Sequence, residues 1–239
     1  MNITRIKVYQ DLMGENERWA RETRHLLADN AICMLNFIGS PGSGKTTLLE
    51  TMVEPLREQL RFAVLEGDIA TTRDAQRLHA LDVPVSQLLS GGACHLEAKL
   101  VHRALQDLPV SELDVVIVEN VGNMVCPAEF DIGEHAKVAV LSVTEGEDKP
   151  LKYPLLYREA KAALLTKTDL LPHLVFNLAA CREHIRQVNG GLPVFPVSAM
   201  SGEGLDEWVS WVVQQVQRAS AASGELPRDS ADSRKLLAG

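Results

Sequence analysis
Residues 39–47 read GSPGSGKTT, between an apolar run at 32–38 and a segment with helical character. Gly39, Gly44, Lys45 and Thr46 satisfy G-x-x-x-x-G-K-[ST], the pattern of a phosphate-binding loop that Ser40, Pro41, Gly42, Ser43 and Thr47 complete. Glycines let successive backbone N–H groups turn inward onto phosphate oxygens. Lys45 adds a mobile cation, Thr46 offers a hydroxyl to Mg²⁺, and the helix that starts here turns the positive end of its dipole toward the same anion. An accidental glycine-rich turn is the alternative; the strand-like run before it and the helix-like run after it argue against that.

Outward from this loop the chain alternates. Apolar stretches at 62–65, 83–88, 114–118, 137–143, 162–165 and 192–197 read as buried strands. Segments at 45–59, 71–81, 94–105 and 174–188 read as helices, with Pro55 expected to bend or end the first of them. A last helix holds Trp208, Trp211 and Val212 at core spacing. Residues 145–154, EGEDKPLKYP, read as a loop because two prolines and mixed charges interrupt the pattern. This alternation predicts an α/β fold, a P-loop NTPase whose mostly parallel sheet carries helices on both faces. Residues 1–29 are expected to form an amphipathic helical arm, with Leu12, Trp19 and Leu26 at seven-residue spacing and Met13, Ala20 and Leu27 beside them. The P-loop domain is expected at 30–218 and a disordered tail at 219–239, where small and polar residues show no period.

Charge narrows the partners. Twenty-four Lys and Arg against 32 Asp and Glu give a net charge of −8, so the basic footprint of a nucleic-acid binder is missing. Four scattered cysteines, no opening signal segment and no apolar run of ~20 residues point to a cytoplasmic protein without a membrane span.

Strand ends deliver the chemistry. Thr166, Lys167 and Asp169 form T-K-x-D. A carboxylate there can accept two hydrogen bonds from guanine's ring N–H and exocyclic amine, a pair adenine does not offer, while Lys167 can lie over the base. Ser198 and Ala199, at the next strand-to-loop junction, are placed to support the same pocket. GTP and GDP are therefore the expected nucleotides. Thr46, Asp68 and Glu119 are the expected Mg²⁺ partners, directly or through water, with helix capping as the alternative for Asp68. Lys45, Asp68, Glu119 and Gly122 form the expected catalytic set, Gly122 bringing a backbone N–H against the γ-phosphate. No Gln stands beside that glycine to orient water, so slow intrinsic GTPase turnover is expected.

Cys94 and His95 are adjacent, and Cys126 follows 32 residues later, just before Pro127. Sulfur with imidazole suits Zn²⁺ or Ni²⁺. If Cys94 and His95 open a helix, they can share one ion only in a frayed first turn, or else with help from a partner chain. That helix start would also lower the Cys94 thiol pKa. From spacing alone, unconnected buried cysteines remain the better reading, and Cys33 and Cys181 read as packing.

GSPGSGKTTLLE, the Gly-Asp of EGDI, GGACHLEA, ENVGNMVCP, EGEDKPLKYP and SGEGLDEW, in that order, closely resemble the hydrogenase nickel-incorporation GTPases of the HypB family over about residues 12–217. The resemblance implies a SIMIBI-type GTPase with Cys94, His95 and Cys126 binding Ni²⁺ or Zn²⁺ at a GTP-dependent homodimer interface. It further implies nickel delivery to the large subunit of [NiFe] hydrogenase together with partner maturation proteins. Two features depart from the family: the sequence has no N-terminal C-x-x-C-G-C or His-rich nickel segment, and Thr166 replaces the usual Asn, removing an amide that would brace the phosphate loop. A urease accessory GTPase is the nearest alternative, although its metal motif is Cys-Pro-His. A small-molecule P-loop kinase, or a regulatory GTP-binding module with structural zinc, are the others.

Overall fold
The computed structural model describes residues 3–68 and 73–223. Its elements, in chain order, are α1 (Ile3–Asp29), β1 (Cys33–Gly39), α2 (Lys45–Arg57), β2 (Phe62–Asp68), α3 (Arg73–His79), β3 (Val85–Leu89), α4 (Ala98–Gln106), β4 (Val115–Glu119) and α5 (Cys126–Glu129). They continue with β5 (Ala136–Ser142), α6 (Lys149–Lys152), α7 (Pro154–Glu159), β6 (Ala162–Thr166), α8 (Leu178–Val188), β7 (Val194–Pro196) and α9 (Leu205–Ala222).

Seven strands pair in the order β3-β2-β4-β1-β5-β6-β7, every neighbour parallel. The chain leaves β1 in one direction to build β2, β3 and β4, then crosses to build β5 to β7 on the other side. Open α/β sheets bind ligands outside the carboxyl ends of their strands at such a reversal, and the phosphate loop follows β1 at this point. Helices cover both faces because the strands are apolar on both. Leu35 and Phe37 of β1 face a cluster with Leu48 and Met52 of α2 and Trp208 and Val212 of α9. Met34 turns the other way, toward Leu27 of α1 and Val101 of α4. Ile38 joins a third cluster with Leu156, Tyr157 and Cys181.

A polar residue in the middle of β1, Asn36, is fully buried. Burying an amide is costly unless it is hydrogen-bonded. Its Oδ1 accepts from Asn120 Nδ2 at 3.1 Å and its Nδ2 donates to Glu134 Oε1 at 3.3 Å.

The amphipathic helix expected at 1–29 is seen from Ile3 as α1, and its stripe packs: Ala20, Thr23 and Leu27 are fully buried, and α1 runs along α4. It also caps α4. Glu97 at the N-cap position makes no side-chain cap bond, and Asn16 Oδ1 accepts from Ala98 N at 2.9 Å instead. Several expectations need correction. The helix α4 starts at Ala98, not at 94, because residues 91–92 form a turn and 94–95 a bend. Residues 145–154 are partly helical, since Pro150 and Pro154 fall in the first turns of α6 and α7, where a missing N–H costs nothing. The helix expected from 174 begins at Leu178, where Asn177 Oδ1 accepts from Ala180 N. The boundary at 218 is too early as well: α9 runs to Ala222, with Ala219 and Ser220 buried against the core. The expected tail from 224 onward, the start of the helix expected at 71 and the side chain of Leu12 lie outside the described residues. Among the described residues, no helix is long and apolar enough to cross a membrane.

Candidate functional site
The phosphate loop is built by backbone. Gly42 and Gly44 take φ of 74° and 90°, in the left-handed region that favours glycine, and Gly44 is also the N-cap of α2. Lys45 is buried, its Nζ donating to the carbonyls of Gly39 and Ser40 at 3.4 and 3.2 Å. From outside, Thr166 Oγ1 donates to the Ser43 carbonyl at 2.5 Å and Lys167 Nζ to that of Gly42 at 2.7 Å. The brace that the Thr166 departure puts in question is therefore present, supplied by a hydroxyl in place of an amide.

Beside the loop lies a cleft of about 390 Å³ lined by Lys45, Thr46, Asp68, Glu119, Gly122 and Lys167, among others. Thr46 Oγ1 donates to Glu119 Oε1 at 2.8 Å. Register places Glu66 directly abreast of Glu119 on neighbouring strands, both buried. With Asp68 at the end of β2 the donors here are all oxygen, the set a hard cation such as Mg²⁺ takes. Gly122 lies on the loop itself: a Cβ there would come within 2.9 Å of Pro41 backbone atoms. At the far end of the loop, Asp169 Oδ1 accepts from Ser198 Oγ at 2.6 Å, and that hydroxyl accepts from Met200 N and Ser201 N. Ser198 thereby fixes the carboxylate's orientation. Ala199 lies in the same turn, between Ser198 and Met200.

A second cluster lies where the segment after β4 meets the segment after β3. The ligand atoms of Cys94, His95 and Cys126 all fall within 4.8 Å of one another. Cys94 Sγ is 2.8 Å from Cys126 Sγ and 3.7 Å from His95 Nδ1. The His95 ring stacks on Phe130 at 3.8 Å, and its Nε2 is buried without a hydrogen-bond partner among the described residues. Burial lowers the His95 pKa, against a smaller opposing effect of Glu97, favouring the neutral imidazole a metal needs. Cys94 differs from expectation. Preceding α4 by four residues, it gains nothing from a helix terminus, and its thiol is pushed up, first by the hydrogen bond to Cys126. A bend in place of a helix also lets adjacent residues converge, so one chain brings all three donors together. Two thiols and an imidazole suit Ni²⁺ or Zn²⁺ and leave room for a further ligand. Cys33 and Cys181 are buried in the core, and burial pushes both thiols up to about 12, the behaviour of packing residues.

Sequence reasoning places Glu66 and Asn120 at strand ends without naming either as a site residue, and passes over Arg77; all three line the cleft. Glu66 becomes conspicuous only through strand register. Arg77 pairs with Glu50 through Nε and Nη2 and reaches Thr47 Oγ1 at 3.4 Å, a placement no local motif announces.

Residues 33–196 match the family model for the CobW/HypB/UreG nucleotide-binding domain. The hydrogenase maturation factor HypB of Azotobacter chroococcum mcd 1 is 49% identical over 88% of this chain and 69% of its own length. That of Escherichia coli (strain K12) is 45% identical over 88% and 72%. A solved structure of HypB from Helicobacter pylori in complex with nickel superposes with a TM-score of 0.81 at 34% identity, covering 85% of this chain and 96% of that one. Sheet order, phosphate loop and these likenesses agree on a SIMIBI-class P-loop GTPase fold, and the chain belongs to the HypB family of hydrogenase maturation factors.

Proposed function
We propose that the chain binds and slowly hydrolyses GTP and couples the nucleotide state to a nickel cargo destined for the large subunit of [NiFe] hydrogenase. One observation carries this reading. The segment 119–126 begins at a carboxylate bonded to Thr46, passes Gly122 against the phosphate loop, and ends at a thiol of the Cys94, His95 and Cys126 cluster. A nucleotide that moves this segment changes the geometry offered to the metal.

In this reading Lys45 and the loop amides hold the phosphates, Asp169 selects guanine, and Glu119 with Thr46 and Asp68 would hold Mg²⁺. When bound, Mg²⁺ neutralises charge on the transferring phosphoryl group. Gly122 N–H would donate to the γ-phosphate, a hydrogen bond that hydrolysis removes. Three protein donors leave the metal incompletely surrounded, so a second copy of the chain, assembled under GTP, supplies the remainder; a solvent-facing Cys94 and an exposed Val125 beside Cys126 suit such an interface. Partner maturation proteins would supply or receive the ion.

The test is nickel titration with mass measurement, in GDP and in a non-hydrolysable GTP analogue. Different nickel affinities together with dimer formation under the analogue support the mechanism. Equal affinities in the two states sink the coupling, and parallel binding of Zn²⁺ with no nucleotide effect would favour a structural zinc site.

A further inference from the structure
Asn123 stands between the switch glycine and the second cysteine, and both ends of its side-chain amide are engaged. Its Nδ2 donates to the carbonyl of Cys94 at 3.1 Å, and its Oδ1 accepts from Val125 N at 2.8 Å, immediately before Cys126. One short side chain thus clips the backbone of one thiol to the backbone leading into the other. On the far side of His95 a second asparagine acts in the same way: Leu96 N donates to Asn120 Oδ1 at 3.3 Å. The backbone flanking His95 is held on both sides by one four-residue segment. That segment is anchored in the central strand, where Asn120 N donates to the Phe37 carbonyl and Asn120 Nδ2 to Asn36 Oδ1, both at 3.1 Å. Gly122, packed on Pro41, separates the anchored asparagine from the clipping one.

We infer that Asn123 is the positioning residue that sets the approach of Cys94 to Cys126, so that displacement of Gly122 is delivered to the thiol pair through its amide. The inference extends the metal reading of that cluster. An amide suits the task because it donates to a carbonyl and accepts from an N–H at once. Alanine at this position removes both bonds. Aspartate keeps the acceptor for Val125 N but turns an oxygen toward the Cys94 carbonyl, so it breaks the Cys94 half of the clip alone. Asn123 is half-exposed, and its replacement leaves the core intact.

The experiment uses the whole metal-free chain as wild type, Asn123→Ala and Asn123→Asp. Oxidised glutathione closes the pair in two exchanges: one thiolate attacks the glutathione disulfide and expels glutathione thiolate, then the other attacks the mixed disulfide and expels the second. The protein loses two electrons and glutathione gains them. Closure measures the thiols' effective concentration, and Cys33 and Cys181, buried in the core, stay out of it. Both variants should close roughly tenfold more slowly than wild type and bind Ni²⁺ roughly tenfold more weakly, the scale of removing an outer-shell partner of a metal ligand. GTP affinity and Tm should stay at wild-type values. Closure at the wild-type rate in Asn123→Ala overturns the inference, and the same in Asn123→Asp overturns the role of the Cys94 bond. Cys94→Ala, titrated with Ni²⁺ in parallel, tests the metal reading separately: unchanged affinity there removes that reading, while thiol closure still decides the role of Asn123.

Discussion

The phosphate loop and the thiol cluster lie at the two ends of one segment and are made in opposite ways. The loop is over-determined. Gly42 and Gly44 are fixed by positive φ, a Cβ added to Gly39 would collide with the Val140 carbonyl, and Lys45, Thr166 and Lys167 bond the loop's carbonyls from three directions. The cluster is lightly held: Cys94 is exposed, Cys126 opens a helix of four residues, and the backbone on either side of His95 is tied to asparagines by one hydrogen bond each. Phosphate recognition rewards a preformed cradle, whereas release of a cargo ion rewards ligands that separate easily. In the proposed mechanism the loop is then the fixed reference and the cluster the moving part.

The largest test of this contrast is Lys45→Ala, which should weaken GTP binding at least ~100-fold by removing a charge-assisted hydrogen bond of about 3 kcal/mol. Nickel binding in the absence of nucleotide should stay at the wild-type value, and a parallel loss of nickel would show that the two ends are not separate. Cys126→Ala is the mirror experiment. It should weaken Ni²⁺ binding by about 10-fold or more while leaving GTP affinity within about twofold, both read by calorimetry. Next, Asp169→Asn should lower GTP affinity by about 10-fold and raise that for xanthosine triphosphate, whose carbonyl replaces the guanine amine and accepts from the new amide. An unchanged preference for guanine would remove Asp169 as the base reader.

The smallest effect belongs to neither end. Met34 N donates to His135 Nδ1 at 3.1 Å, which needs that nitrogen unprotonated, and partial burial, with Arg24 nearby, lowers its pKa from 6.5. The unfolded chain then binds a proton at a pH where the folded one does not. Stability from this group is therefore full above pH 6.5 and declines as the pH falls from there toward the depressed folded value. A Tm series should show this slope in wild type and a flatter one in His135→Asn; identical slopes would reject the assignment.

How much of this is legible in the sequence follows from the same contrast. The phosphate loop and T-K-x-D are local patterns that can be read directly from a few adjacent residues, although Thr166 and Lys167 act on the loop from 123 and 125 positions away. Glu66 beside Glu119 depends on the register of β2 and β4, which spacing does not encode. Cys94 lies in a bend and Cys126 at the start of a four-residue helix, so no period brings the two together; the apolar period places a helix start at 94, four residues before α4 begins. In α1 the apolar stripe is plain and Ala20 and Leu27 are buried as it requires, whereas Asn16 and Thr23, which also tie α1 down, are polar positions that an apolar period passes over.

The cap that Asn16 provides to Ala98 has a consequence for the making of the protein. The two residues are 82 positions apart, and a chain emerging at roughly 5–20 residues per second needs about 4–16 s to cover that interval. For most of it, from Asp29 onward, α1 is complete while the helix it will cover does not exist. Newly made α1 therefore spends seconds with Ala20 and Leu27 not yet covered by α4.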